Sequence, residues 1–382
     1  MHINADLHIH SPHSIATSAA MTPERIIAAC ITKGLGAVGT GDALHPGWRD
    51  AWRAEVDDAE SAVVIVPSAE VEDRDRIHHL ILMESMEAFA DLGDRLVRWC
   101  TSLGDRGRPH LSCAGEEIAR AVHDHGGLIG PAHAFTPWTS LYRNHDHLAD
   151  CYGTERPDFL ELGLSADSSF GASISDLDGI PFLSNSDAHG PATHRLGREF
   201  TRLEVSRPDA ESVLEAVRRG AILQNAGLFP ELGKYYSTAC SRCFRQCSLE
   251  EAGRLAGRCP HDGGRIKKGV RDRARELADR APAPRPPYHH LIPLGEIIQA
   301  IEGMSSPETR TCARRYRTLV TALGPEIDIL LDLPVETILE ADPVVGEAIT
   351  AIRAGDVPIR PGGGGRYGTV EITGAGGGRQ RR

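Results

Sequence analysis

The 382-residue chain contains no run of about eighteen apolar residues, the minimum for a membrane-spanning helix. Its opening, MHINADLHIH, has neither a basic start nor the apolar stretch of a secretory signal, so a cytoplasmic protein is expected. A disulfide framework is also missing. The nine cysteines are odd in number, and Cys30, Cys100, Cys113, Cys151 and Cys312 stand singly, as buried or idle thiols do. No internal repeat is present. Positive charge is short overall, since a net charge of −11 at first argues against a nucleic-acid partner. Its distribution reverses that reading. Residues 1–233 carry 19 basic and 35 acidic side chains, residues 234–280 carry 12 and 6, and the remainder 11 and 12. An acidic body bearing one basic module describes the chain better than the sum does. Some of the acidity suits ligand carboxylates that divalent cations would neutralise.

What is present begins with apolar material for a large core, 41% of the residues, in a chain long enough for two or three domains. Up to about residue 230 short apolar runs alternate with helical periodicity. Strands are predicted at Ile3–Ile9, Gly36–Gly41, Ala62–Ala69, His78–Met83, Gly127–His133, Asp158–Leu164, Pro181–Ser186 and Thr201–Val205. Helices are predicted from Thr22-Pro23-Glu24 to Gly34, and over Met86–Leu103, Ala114–His125 and Asp209–Arg219. Alternation of this kind predicts parallel βα units closing into an α/β barrel, with chemistry on the loops after the strands. Cysteines and arginines then concentrate from Tyr235 to Arg280, and the breaker APAPRPP (281–287) marks a seam. Short helices follow at Leu294–Ile301, Pro307–Leu323, Ile327–Leu331, Val335–Leu339 and Val345–Ile352. A loop at Pro361–Gly368 and a disordered tail, GAGGGRQRR (374–382), complete the reading. The division is thus 1–232, 233–282 and 283–382.

Several predicted strands end in metal-ligand residue types. The first gives Asp6-Leu7-His8-Ile9-His10, where residues two apart point to one side, so His8 and His10 can grip one ion. Asp6 would orient a ligand from behind. Thr40-Gly41-Asp42-Ala43-Leu44-His45, Ser68-Ala69-Glu70, Pro131-Ala132-His133 and Ser186-Asp187-Ala188-His189 continue the pattern. His78 and His79 are adjacent, so only one of them faces inward. A single H-x-H is weak evidence, whereas five strand ends of this type are not. Imidazoles with carboxylates suit Zn, Mn or Fe better than Ca or Mg.

Cys240-Ser241-Arg242-Cys243 forms a C-x2-C knuckle, and Cys259-Pro260-His261-Asp262 follows fifteen residues later. A four-cysteine ribbon would have cysteine at 262. The fourth ligand is left open between Asp262, His261 and Cys247, with a metal-free arginine-rich subdomain as the alternative. Around the knuckle stand Arg242, Arg245, Lys267, Lys268 and Arg271, the setting that phosphate-backbone contact requires.

The motifs DLHIHS, TGDALH, SAE, PAH and SDAH, in this order, resemble those of the PHP (polymerase and histidinol phosphatase) superfamily. That resemblance implies a distorted PHP-type (β/α)7 barrel holding two or three divalent metals. His8, His10, Glu70 and Asp187 would bind the first; Glu70 would bridge to a second held by His79 and His133. A third would take His45, His189 and Asp42, the last standing where relatives carry histidine. Asp187, Glu70 and His189 would be the catalytic residues of a metal-hydroxide phosphoesterase. Further along, TACSRC…RCP…GG-x-IKKGVRDR, RPPYHHLIPLGEII and PGGGGRYG resemble the endonuclease Q family from Ala5 to about Gly368. This narrower resemblance implies a barrel, a zinc-ribbon-like module with one structural zinc, and a mostly helical C-terminal domain. It also implies DNA repair, cutting on the 5′ side of hypoxanthine, uracil, xanthine or abasic sites in duplex or single-stranded DNA, with no membrane and no nucleotide cofactor involved. Extrusion of the target base would need a pocket. Leu162–Phe170 is one candidate; Pro361–Gly368, with Arg366 and Tyr367 for phosphate and base, is the other. The rival readings are a phosphatase for a small phosphomonoester and a DNA-binding scaffold with a relic barrel.

Overall fold

The computed structural model describes residues 1–57 and 62–372; the tail expected to be disordered lies outside them. Fifteen strands occur among the described residues. They are β1 (His2–Asp6), β2 (Ala37–Gly39), β3 (Val64–Val66), β4 (Ser68–Glu72), β5 (His78–Leu82), β6 (Leu128–Pro131), β7 (Leu160–Glu161), β8 (Phe182–Leu183), β9 (Phe200–Glu204), β10 (Ile222–Gly227), β11 (Ala239–Cys240), β12 (Ile266–Lys267), β13 (Tyr288–His290), β14 (Ile359–Arg360) and β15 (Thr369–Val370). Local sequence signals account for several helix ends. Thr22 Oγ1 accepts from Arg25 N, Pro23 opens the helix Pro23–Lys33, and Gly34 at φ 91° closes it. Ser85 caps Met86–Leu96 and Asp209 caps Ala210–Arg218 in the same way. A helix at Pro46–Asp57 was not among the sequence expectations; Trp48 and Trp52, four residues apart, bury its inner face.

The fold is mixed α/β, and no closed barrel is found among the described residues. One six-stranded sheet has the order β13-β10-β9-β1-β2-β3, a second β4-β5-β6, and a third β7-β8. Bonds that cross the seams include Asp158 N to Ile129 O, Ala134 N to Glu161 O and the bridge Ile9–Ala188. The second sheet is antiparallel, against the parallel expectation. The reason is local: only the turn between Glu72 and His78 joins β4 to β5, and a parallel pair needs a crossover of a dozen residues.

The helices Leu294–Glu302, Arg310–Leu323, Val335–Ala341 and Pro343–Ala354 share a core with Ile26, Trp48 and Trp52. A buried ion pair, Lys33 Nζ to Glu326 Oε1 at 2.7 Å, fastens them; Glu326 also accepts from Tyr316 Oη and Leu294 N. β13 extends the six-stranded sheet at its edge. The residues expected as a short helix at Ile327–Leu331 instead form a π-helical turn, Asp328–Asp332.

Candidate metal centre

β1 carries His8 and His10 past its end, where both imidazoles are almost wholly buried. Each is held from behind by a carboxylate. Glu161, on β7, meets His8 Nδ1 at 2.9 Å, and Asp42 meets His10 Nδ1 at 3.3 Å. Both Nε2 atoms are therefore turned inward, and neither has a hydrogen-bond partner. They face Glu70 and Asp187: His8 Nε2 lies 3.9 Å from an oxygen of each, and His10 Nε2 is 3.0 Å from Asp187 Oδ1. His8, His10 and Asp187 bring their ligand atoms within 4.8 Å of one another, as do Glu70, His78 and His133. Orphaned imidazole nitrogens converging on carboxylates fit divalent cations, since burying such atoms unpaired is costly.

Three residues of this neighbourhood have left-handed backbones: Asp42 (φ 49°), His133 (φ 33°) and Asp187 (φ 49°). Such conformations persist where the surroundings over-determine them, as at active sites. Gly41 lets the chain pass β1; a Cβ there would stand 2.1 Å from Ile9 O.

The electrostatics follow the geometry. Burial alone would lower His8, but Glu161, then Glu70 and Asp187, outweigh it and raise it to about 9. Burial opposes ionisation of Glu70, yet His78, His133 and His8 hold it well below the carboxylate range. Asp187 is depressed likewise, against burial, by His10 and then His8.

The geometry groups four of the expected ligands differently. His78, not His79, joins the centre: its Nδ1 is 2.7 Å from Glu70 Oε1. The register decides this, because His78 pairs with Glu72 on the Glu70 face while His79 pairs with Val71 and points to the opposite side. Asp42 stands behind His10 and accepts from Ser11 N and Ser11 Oγ, so its oxygens are engaged away from the ligand groups. His45 is outside both groups, stacked on His13 at 3.6 Å with its Nδ1 accepting from Trp48 N. His189 belongs to neither group and stands at the rim, its ring 4.5 Å from that of His10. Sequence reasoning missed Glu161 and Arg108. A carboxylate inside the apolar run FLELGL was the available signal for the first. Arg108, whose Nη1 donates to Glu70 Oε2 at 2.9 Å, had only the cation-rich turn RGRPH.

In the module after residue 233, Cys240, Cys243, Cys259 and Asp262 bring their ligand atoms within 4.8 Å of one another. Asp262 Oδ1 is 3.4 Å from Cys240 Sγ and Cys243 Sγ is 3.7 Å from Cys259 Sγ. Neither His261 nor Cys247 joins that group.

Residues 293–356 match the family described as the MJ0043 C-terminal domain. An uncharacterized protein of Methanocaldococcus jannaschii, MJ0043, is 43% identical over 246 residues, covering 62% of this chain and 31% of the relative. Bacillus subtilis YqxK, also uncharacterized, is 36% identical over 266 residues, covering 67% of this chain and 64% of the relative. The chain thus spans about a third of one curated relative and just under two thirds of the other. Among solved structures, the lesion-specific endonuclease PfuEndoQ of Pyrococcus furiosus superposes with a TM-score of 0.93 at 44% identity, covering 97% of this chain and 96% of that one. This chain belongs to the endonuclease Q family. A second endonuclease Q structure, in complex with a 27-mer duplex carrying an abasic lesion at the active site, matches with a TM-score of 0.92 at 44% identity, over 98% and 97% of the two chains.

In this endonuclease Q relative both candidate base-contact segments pack around residues 231–240. Ser165 meets Gly233, while Gly163 presses on His133, which places 162–170 beside the centre. The glycine loop is no free turn. Gly362 N donates to Glu231 O, Ser237 N to Gly362 O and Gly365 N to Lys234 O. A Cβ on Gly364 would stand 2.2 Å from Cys240 O, so the close approach those glycines permit is to the chain's own backbone. Tyr367 projects from it, 67% exposed.

The cations sort into two sets. Lys268 is engaged by Glu276, Arg271 by Asp272, and Arg273 by Asp146 and Glu276. Arg143, Arg265 and Lys267 have no carboxylate partner among the described residues, and they line one groove of about 560 Å3 with Trp138. Lys267 Nζ lies 3.3 Å from the Trp138 ring centre, and Trp138 is 44% exposed. Burial, then Arg265 and Arg143, lowers the Lys267 pKa.

Proposed function

We propose that this chain is a DNA-repair endonuclease that hydrolyses the phosphodiester on the 5′ side of a deaminated base or an abasic site. The observation that carries the reading is the pair of orphaned, carboxylate-backed imidazoles of His8 and His10, directed at Glu70 and Asp187. The family's lesion-specific member and its abasic-DNA complex give the substrate class. His8, His10, Glu70, His78, His133 and Asp187 are the residues that would hold divalent metals, within a PHP barrel opened at its seams. Zinc, manganese or iron bound there would lower the pKa of water and neutralise phosphoryl charge. Asp42 and Glu161 keep the two imidazoles in the tautomer that presents Nε2. Arg108, at the mouth beside Glu70, is placed to meet a phosphoryl oxygen. His189, its pKa lowered by burial and then by His10, is a neutral proton acceptor at the rim.

DNA enters this reading through the groove of Arg143, Arg265 and Lys267. Three cations without an ion-pair partner among the described residues line it together, while Asp146, the carboxylate of the same groove, is engaged by Arg273; phosphates would relieve that excess of positive charge. Arg242, Arg245, Arg366 and Tyr367 extend the contact, and Cys240, Cys243, Cys259 and Asp262 would hold a zinc that stiffens the module. A cytoplasmic location accords with that substrate. Among the described residues no helix is long and apolar enough to cross a membrane.

The test is incubation with manganese or zinc and an end-labelled duplex containing an abasic site, uracil or hypoxanthine. A nick immediately 5′ of the lesion is expected, with the undamaged duplex left intact. No nick, with phosphate released from small monoesters, would replace this reading by a phosphatase.

A further inference from the structure

Behind the sheet that presents Glu70 and His78 lies a second set of ligand-type side chains, which the hydrolytic centre does not use. Asp73, His79 and Cys151 each bring one ligand atom within 4.8 Å of the others, and the three residues are 1%, 0% and 6% exposed. They come from separate elements: the turn after β4, the strand β5 and the helix Leu148–Tyr152. We propose that Asp73, His79 and Cys151 form a buried site for a zinc-class cation, distinct from the hydrolytic centre.

The argument rests on what each atom is left to do. His79 Nδ1 is 2.8 Å from Tyr152 Oη. With Nδ1–H donating to that oxygen, Nε2 carries a lone pair; with the tyrosine hydroxyl donating instead, Nε2 carries an N–H. Nε2 is wholly buried, 3.3 Å from Asp73 Oδ2, and makes no hydrogen bond. In either form a buried nitrogen is left without a hydrogen bond beside a carboxylate, and a cation bound by both would satisfy the pair. Asp73 is held for that role, because its Oδ1 accepts from the backbone N–H groups of Asp75 (2.9 Å) and Ile77 (2.8 Å), leaving Oδ2 turned to His79. A core histidine with an ordinary structural role would have both nitrogens satisfied.

The third ligand is brought in by a small residue. A Cβ on Gly115 would stand 2.6 Å from Cys151 Sγ and 3.0 Å from His79 Cε1, so the absence of a side chain there is what lets thiol and imidazole approach. One imidazole, one carboxylate and one thiolate form a borderline-soft donor set that favours zinc over magnesium or calcium. The hydrolytic centre has no cysteine among its ligand groups. A cation here would tie the 73–77 turn and the 148–152 helix to β5, fixing from behind the strand whose front face carries His78.

Crystals of the full chain grown with zinc, measured above and below the zinc absorption edge, test the site directly. Anomalous density bonded to Asp73, His79 and Cys151 is expected beside that of the hydrolytic centre. Density at the hydrolytic centre with none at this site would overturn the proposal without any variant. In solution, Cys151→Ala should lower the zinc content after desalting by about one ion per chain. An unchanged zinc count in a folded Cys151→Ala protein would overturn it equally.

Discussion

Asp187 combines a left-handed backbone with a carboxylate that His10 and His8 keep ionised against burial, so it is the residue where strain and charge coincide. Asp187→Asn retains the shape and removes the charge. Hydrolysis of lesion-bearing DNA should fall by at least about 100-fold, the scale on which even residues behind metal ligands matter, while circular dichroism stays unchanged. Near-parent activity would remove Asp187 from the centre. The ribbon gives a prediction of opposite sign. Asp262 stands 3.4 Å from Cys240 Sγ as the one carboxylate beside three thiols. Asp262→Cys should hold zinc longer against a chelator, and equal release from both proteins would take residue 262 out of the ligand set. The motifs made His8, His10, Glu70, His133 and Asp187 legible as candidates, because each closes or follows a predicted strand, although Glu70 lies in the middle of β4. The choice between His78 and His79 was not legible, since it turns on a register that one slipped residue would invert. Arg108 was hidden for another reason: it reaches Glu70 from a loop whose path no local pattern fixes.

Glu199, just before β9, is wholly buried where β10 and β13 meet. Its Oε1 accepts from Leu228 N and its Oε2 has no partner. Burial pushes its pKa up to about 8, with Glu161 and Asp6 adding to the rise. The sign follows. Between the unfolded value near 4.5 and about 8, the folded chain holds a proton that the unfolded chain has released, so stability falls as pH rises through that window. Glu199→Gln keeps the shape and abolishes the titration. Its urea midpoint should therefore decline less than the parent's between about pH 5 and about pH 8. Parallel declines would show that Glu199 ionises normally. At this scale much was readable: the capped helices begin close to where Thr22, Ser85 and Asp209 place them. The closed ring of parallel strands was misread, because short apolar runs give no sign of whether the next connection is a crossover or a turn. β10 escaped notice for a related reason: ILQNAG alternates weakly, and it becomes a strand through pairing with β9 and β13.

Across the whole molecule the sequence showed an acidic body and a basic module, but charge counts do not reveal which cations are already spent. Lys268, Arg271 and Arg273 answer neighbouring carboxylates, whereas Lys267 is free of them and shares its groove with Arg143, a residue of the acidic body. The surface offered to a polyanion is therefore assembled from both parts of the chain, and its strength should lie in the unpaired set. Each phosphate contact contributes about 0.9 to the slope of log affinity against log salt. Replacing Arg143, Arg265 and Lys267 together by alanine should flatten that slope by up to about 2.7 and weaken lesion-duplex binding. Lys268→Ala with Arg271→Ala should change it far less, because those cations are already neutralised. None of the three groove cations is in the ligand groups of the hydrolytic centre, so a small chromogenic phosphodiester should be cleaved at the parent's rate by the triple variant. That pairing of results separates loss of grip from loss of chemistry. If the triple variant nicks lesion-bearing DNA as well as the parent at physiological salt, with an unchanged slope, the strand does not run through this groove. The contact would then belong to the face of Arg242, Arg245 and Arg366.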